Sequence, residues 1–383
     1  MAFSRHRSRR LVGLSVLAAL LSGLGAFMFF LSRAETAPRG ELAVRTMPLD
    51  PDRCTEGVRK VAVDDLRPAP SVLLWYPESP RNNAAAVAQP DSRLPVLFYF
   101  SSWTGIRLEN MDLVQILASH GFVVATVLYP ARLPGMPEAR WRRQLAELQR
   151  PMDFSSEAGF EETLRRGDQR VHARAEDAVA ILNRLATLDH CDPGNRLAHR
   201  LDTNRAGIFG YSLGGAVAAE VCRQDVRFRA AANLDGWLFG DAAKHGVPCP
   251  YLLMSDDSPV PTAPDIAAAD ATRRYMSILT KSDYDQAMAN MERHGGIMVT
   301  IAGSRHADFS DSAPRPLRQS LGLAGRGMGR TTDIVSAYVV AFMEKYLAGK
   351  PSSLLPPGAV TSPDVHLQMW ERPTSAGAAA PVN

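Results

Sequence analysis

Ser212 stands at the centre of Gly210-Tyr211-Ser212-Leu213-Gly214, between the apolar run Ala206–Gly210 and the small-residue stretch Gly215–Cys222. A serine hydroxyl is a poor nucleophile and becomes useful in acyl transfer only when held exposed beside a base and beside donors for the oxyanion that develops. Strand, sharp turn and helix with glycines flanking the serine provide that exposure, the glycines leaving room where a Cβ would not fit. A base is available downstream. Of nine histidines, His306 alone follows an apolar strand late in the chain, in Ala302-Gly303-Ser304-Arg305-His306-Ala307-Asp308-Phe309. The order serine, acid, histidine is that of α/β-hydrolases. The acid has more than one candidate, because Asp235 follows one apolar run and Asp256 and Asp257 follow the next. Gly236 lets the backbone turn beside Asp235, whereas the later position of Asp256 and Asp257 is the commoner one in the broad superfamily. The oxyanion donors are expected to be the Leu213 N–H and an N–H from the loop after Phe100.

The elements that must hold these residues are legible as an alternation. Ser71–Pro77, Pro95–Phe100, Gly121–Tyr129, Ala206–Gly210, Phe228–Leu234, Tyr251–Met254 and Gly296–Ile301 are short apolar runs. Helical segments are expected over about 109–120, 170–187, after Ser212, from about 264 to His294, and over 332–347. Continuous apolar strands alternating with helices predict an α/β-hydrolase fold, a mostly parallel sheet covered on both faces. Residues 130–168 interrupt the alternation with dense mixed charge, Trp141 and Phe154, and read as a lid-like insertion over the strand ends or as a solvated surface insertion. The expected organisation is an N-terminal segment over 1–35, one domain over 36–350, and a Pro/Ala-rich tail over 351–383.

Charge and composition narrow the classes further. The net charge is +3, but Arg5, Arg7, Arg9, Arg10 and Arg33 precede any acid, so everything from Ala34 onward carries −2. That excludes nucleic-acid binding by charge. Leu11–Ser32 contains no charged residue and as a helix would reach roughly 33 Å, enough to cross a bilayer. It reads as an uncleaved anchor or a cleaved signal, with Ser8-Arg9-Arg10 a weak twin-arginine pattern; either way the body is exported. Export permits disulfides among Cys54, Cys191, Cys222 and Cys249, and four cysteines allow three pairings, with buried thiols the alternative. No C-x-x-C spacing is present, so a zinc site is not expected, and the serine-nucleophile reading implies no cofactor. Gly325-Arg326-Gly327-Met328-Gly329-Arg330 fits no phosphate-loop spacing and reads as a turn into the last helix.

Gly210–Gly215, Arg227-Phe228-Arg229, Leu234-Asp235-Gly236-Trp237-Leu238-Phe239, Gly303–Phe309 and Asp333-Ile334-Val335 together resemble the platelet-activating factor acetylhydrolase family of secreted and bacterial type, over roughly residues 70–348. The resemblance implies Asp235 as the acid, in the Leu-Asp-x-Trp motif. It also implies that the second oxyanion donor is Thr104, because the family's Ser-His-Gly-x-Gly loop aligns with Ser101-Ser102-Trp103-Thr104-Gly105. Here Ser102 and Trp103 replace the histidine and the first glycine, a departure expected to reshape the acyl side of the pocket. Family members cleave short or oxidised sn-2 acyl chains from phospholipids without calcium. The competing expectations are a general, polyester or xenobiotic carboxylesterase with the same triad, and, more remotely, a peptidase or a catalytically inactive binding module.

Overall fold

The strand Leu94–Phe100 shows why this chain builds a two-sided core. Val96, Phe98 and Phe100 point to one face while Leu97 and Tyr99 point to the other, and all five are buried. A strand apolar on both faces has to lie inside a sheet covered by helices. The computed structural model describes residues 42–47, 68–77, 93–132, 135–191, 197–311, 328–355 and 362–372. The apolar run Leu11–Ser32, Cys54, residues 78–92, Gly325–Gly327 and the tail beyond residue 372 lie outside the described residues, as does the side chain of Cys191. No described helix is long and apolar enough to cross a membrane.

Among the described residues the strands are β1 (Leu42–Met47), β2 (Ser71–Pro77), β3 (Leu94–Phe100), β4 (Val123–Leu128), β5 (Leu201–Tyr211), β6 (Phe228–Leu234), β7 (Tyr251–Ser255), β8 (Gly296–Ile301) and β9 (Val365–Trp370). They form one sheet in the order β1-β2-β4-β3-β5-β6-β7-β8-β9. The pairs from β4 through β8 are parallel; β1 with β2, β2 with β4 and β8 with β9 are antiparallel.

Among the described residues the helices are α1 (Met111–Ser119), α2 (Glu138–Gln149), α3 (Glu157–Cys191), α4 (Leu213–Gln224), α5 (Asp241–His245), α6 (Ala263–Ile266), α7 (Ala271–His294) and α8 (Met328–Leu347). One face of the sheet packs against α3 and α4 through Leu182, Leu185, Ala216 and Val217, the other against α1 and α8 through Leu113, Leu117, Val339 and Phe342. This is the predicted mostly parallel, doubly covered sheet.

Two regions differ in detail from the expectations. The stretch 130–168 contains α2 and the first turns of α3, so the helix expected over 170–187 is 35 residues long. Its exposed N-terminal turns are supported by Glu162, which accepts from Arg165 and Arg166 at 2.7 Å. The region is fastened to the body: Trp103 Nε1 donates to the Arg150 carbonyl at 2.9 Å, and Phe154 meets Trp237 edge-on, ring centroids 6.1 Å apart. The second difference lies in the tail. Residues 365–370 form β9 on the outer edge of β8. Arg330 ties this edge together, donating to the Ala302 carbonyl and pairing with Asp364, at 2.7 and 2.9 Å.

Cys222 of α4 is bonded to Cys249, just before β7, with Cα atoms 6.0 Å apart. The bridge spans 27 residues, and closing a loop of that length in the unfolded chain corresponds to about 3.5 kcal/mol. Replacing both cysteines by alanine is therefore expected to lower the unfolding free energy in denaturant titration by about 3 kcal/mol. A loss below about 1 kcal/mol would show that the bridge does not constrain the unfolded chain.

Candidate active site

Because β5 ends at Tyr211 and α4 begins at Leu213, Ser212 occupies the turn alone, at φ 56° and ψ −125°. Such a conformation is strained for a residue with a Cβ and persists only where its surroundings hold it. They do so through very close packing. A Cβ at Gly214 would run into the Phe100 carbonyl, so the first turn of α4 lies directly on the end of β3. The Ser212 N–H donates to the Leu234 carbonyl at 2.9 Å, which fastens the elbow to the end of β6.

Asp235 follows β6, also at φ 56°, and its own N–H donates to the Met254 carbonyl at 2.8 Å. The left-handed turn swings its carboxylate toward His306, whose Nδ1 lies 2.7 Å from Asp235 Oδ2. Its other oxygen, Oδ1, accepts the Asp256 N–H at 2.8 Å. His306 opens a short 3₁₀ turn, His306–Phe309, after β8. Its ring stacks on Tyr211 with centroids 5.0 Å apart, and the Tyr211 hydroxyl donates to its backbone carbonyl at 3.1 Å. With Nδ1 facing Asp235, Nε2 is the ring nitrogen left to exchange a proton. Burial pulls the imidazole pKa down, but the hydrogen bond and charge of Asp235 outweigh it, holding the group above its ordinary 6.5.

The structure brings Ser212, Asp235 and His306 to one end of the sheet and assigns Asp256 and Asp257 elsewhere. Asp257 Oδ2 accepts the Gly303 N–H at 3.0 Å, steadying the loop that carries the histidine. Asp256 turns its carboxylate to Ser258, accepting from its N–H at 3.0 Å and its hydroxyl at 2.8 Å. Desolvation, then the charge of Asp235, push the Asp256 carboxyl up.

Two supporting residues were not singled out from sequence. Asn233 is fully buried in β6; its Oδ1 accepts the Gly236 N–H and its Nδ2 donates to the Gly236 carbonyl, both at 2.8 Å. It thus pins the turn that aims Asp235, and an asparagine between alanines and a leucine in a buried strand was the available signal. Tyr211, inside the elbow motif itself, is the stacking partner of His306.

The loop after β3 lies against the elbow. Of its amides, the Ser102 N–H donates to Glu109 Oε2 at 3.1 Å and the Gly105 N–H to the Ser102 carbonyl at 3.0 Å. Among the described residues the Thr104 N–H donates to no acceptor. The Trp103 indole is buried, its ring 6.3 Å from that of Phe239. It braces the loop between the 130–168 region and the segment after Asp235. Two groups, Asp189 with His190 and His199, and His172 with Glu220 and Asp241, bring possible metal-ligating atoms within 4.8 Å of one another. Neither contains a residue of the serine cluster.

A mostly parallel sheet with a serine on a strained elbow, an acid after the next strand and a histidine after β8 defines an α/β-hydrolase. The fold agrees with the solved ferulic acid esterase from Streptomyces cinnamoneus, at a TM-score of 0.51 and 23% identity over 78% of this chain and 88% of that one. The family model described as platelet-activating factor acetylhydrolase, isoform II, matches residues 77–351, and the chain belongs to that family. It is similar to the platelet-activating factor acetylhydrolase of Cavia porcellus, 25% identical over 66% of this chain and 57% of the relative. The enzyme of the same name from Gallus gallus is 24% identical over 70% of this chain and 65% of the relative. The chain thus spans somewhat over half of the length of these two relatives.

Proposed function

We propose that the chain is a serine-dependent carboxylic-ester hydrolase working through an acyl-enzyme, with short or oxidised sn-2 acyl chains of phospholipids as its substrates. The observation that carries this reading is the strained Ser212 elbow beside an imidazole whose Nδ1 is held by Asp235. Ser212 Oγ attacks the ester carbonyl while His306 Nε2 takes its proton. Asp235 keeps the Nδ1–H tautomer and stabilises the imidazolium as it forms. The Leu213 and Thr104 N–H groups receive the oxyanion. Collapse of the tetrahedral intermediate expels the alcohol, protonated by His306, and water then repeats the sequence on the acyl-enzyme. Family membership and the curated relatives' names support the phospholipid assignment.

Trp103, standing where the resemblance has glycine, favours a second reading, a general carboxylesterase acting on simple esters. Hydrolysis of a phosphatidylcholine series with sn-2 chains from acetyl to palmitoyl, run beside Ser212→Ala, separates the two. A steep preference for short chains, absent in the variant, is the expected result. Flat or absent phospholipid activity with turnover of p-nitrophenyl esters would transfer the assignment to the second reading. The uncharged Leu11–Ser32 run and the Cys222–Cys249 bridge support export, with the body on the extracytoplasmic side of a membrane or released from it.

A further inference from the structure

Arg170 and Arg174 lie one turn apart on α3, facing the Ser101–Gly105 loop, with only 9% and 3% of their surfaces exposed. Arg170 Nη1 and Arg174 Nη2 both donate to the Trp103 carbonyl, at 3.2 and 3.0 Å. The other Nη of each reaches a further carbonyl, that of Ser102 from Arg174 at 3.1 Å and that of Glu147 from Arg170 at 2.6 Å. The Arg170 guanidinium also lies over the Trp103 ring, 4.4 Å from its centroid, and that of Arg174 lies 5.1 Å from the Tyr129 centroid. Among the described residues neither forms an ion pair. Desolvation pushes Arg170 down to about 9 and lowers Arg174 as well. Glu147 and Asp177 act on them only from beyond ion-pair distance, so two cations buried together are expensive, and a neutral donor would suffice to hold a helix against a loop.

The carbonyl they share belongs to the same peptide unit as the Thr104 N–H. That peptide is trans, so its N–H points opposite to its C=O, away from the arginines. Fixing the oxygen from behind therefore fixes the direction of the hydrogen in front. Hydrogen bonds to the oxygen also polarise the amide, making its N–H a better donor, and the two cations place positive potential behind it. We propose that Arg170 and Arg174 are positioning residues that aim and polarise the Thr104 N–H as an oxyanion donor. This rests on the ester-hydrolase reading above.

The test uses the full chain with Arg170→Met, Arg174→Met and both arginine-to-lysine variants. Each is assayed on p-nitrophenyl acetate, on its thionoester analogue, in which sulfur replaces the carbonyl oxygen, and with a trifluoromethyl ketone that mimics the tetrahedral intermediate. Loss of an oxyanion donor lowers kcat by about 10²- to 10³-fold, and the methionine variants should approach the lower figure with KM nearly unchanged. The inhibition constant of the ketone should rise in parallel. The preference for the oxygen ester over the thionoester should fall by a similar factor, because sulfur takes little from N–H donors. Lysine retains the charge but has a single donor nitrogen in place of the fork that spans two carbonyls, so about a tenfold loss is expected there. Folded variants with kcat within about threefold of wild type, or with ester and thionoester turnover lost equally, would overturn the proposal. Should the methionine variants fail to fold, the lysine pair decides by the same ratios. A wild-type chain that cleaves no ester and whose Ser212 takes no fluorophosphonate would refute the hydrolase reading and this inference with it. Wild-type activity with indifferent arginines refutes the inference alone.

Discussion

Ester turnover is expected to fall on the order of 10⁶-fold when Ser212 is replaced by alanine, because the serine and histidine of such a site act as a unit and losing the nucleophile forfeits nearly the whole of their joint contribution. What remains is the activity that binding and oxyanion donors can supply to water alone. Folding should be almost unaffected. Alanine keeps the Cβ, so the φ 56° strain at the elbow is the same in both proteins, and the Ser212 N–H bond to Leu234 involves only backbone. Initial rates on a p-nitrophenyl ester, with fluorophosphonate labelling and a thermal melt alongside, make the comparison. Residual activity above about one per cent in a fully folded variant would place the nucleophile elsewhere.

Asp235→Asn should cost about 10⁴-fold in kcat, since an asparagine amide can present its N–H to Nδ1 and favour the wrong tautomer. The corresponding change at Asp257 should cost less than about tenfold, because asparagine Oδ1 still accepts the Gly303 N–H that Asp257 accepts now. The opposite ranking of the two variants would reassign the acid. The pH profile gives an independent reading. Only the neutral imidazole can take the serine proton, so kcat/KM should rise with pH through an apparent pKa above 6.5. Removing the Asp235 charge leaves burial as the dominant influence on His306, and the limb should move to lower pH. Stability runs in the opposite direction. A histidine raised in the folded state contributes stability that is fully present below the unfolded value near 6.5 and is lost as pH rises through the folded one. Alkalinity thus activates the site while removing the ionic contribution of its pair; the half-exposed ring keeps that contribution small.

What could be read from sequence follows the physics of burial. β3 through β8 are recognisable because strand segments covered on both faces must be apolar, β5 only from Ala206 onward since Asp202–Arg205 before it are polar, and the elbow and the His306 loop stand out as interruptions of such runs. Among the described residues the edge strands β1 and β9 have one neighbour each, and their polarity is mixed, so nothing separates Leu42–Met47 or Val365–Trp370 from loop or tail. The N-terminal turns of α3 hide for a related reason: Glu162 with Arg165 and Arg166 stabilises a solvated helix whose charge density reads as irregular surface. At the site, residues alone left Asp235, Asp256 and Asp257 open. What distinguishes them is a backbone angle, φ 56° at Asp235, and the Asn233 clasp on Gly236. The arginines behind Trp103 were equally invisible, since their meaning depends on which carbonyl of a distant loop they reach.

The match to the family stops at residue 351, yet β9 begins at Val365. A recombinant domain trimmed to the family boundary would strip the outer side of β8 and leave a row of bare amides and carbonyls a few residues from His306. Such an open margin is a template for another chain, so the trimmed protein would face self-association at the rim of its own reaction centre. β9 therefore works as a selvedge, and where a clone is cut decides whether the histidine loop borders on solvent or on a second molecule.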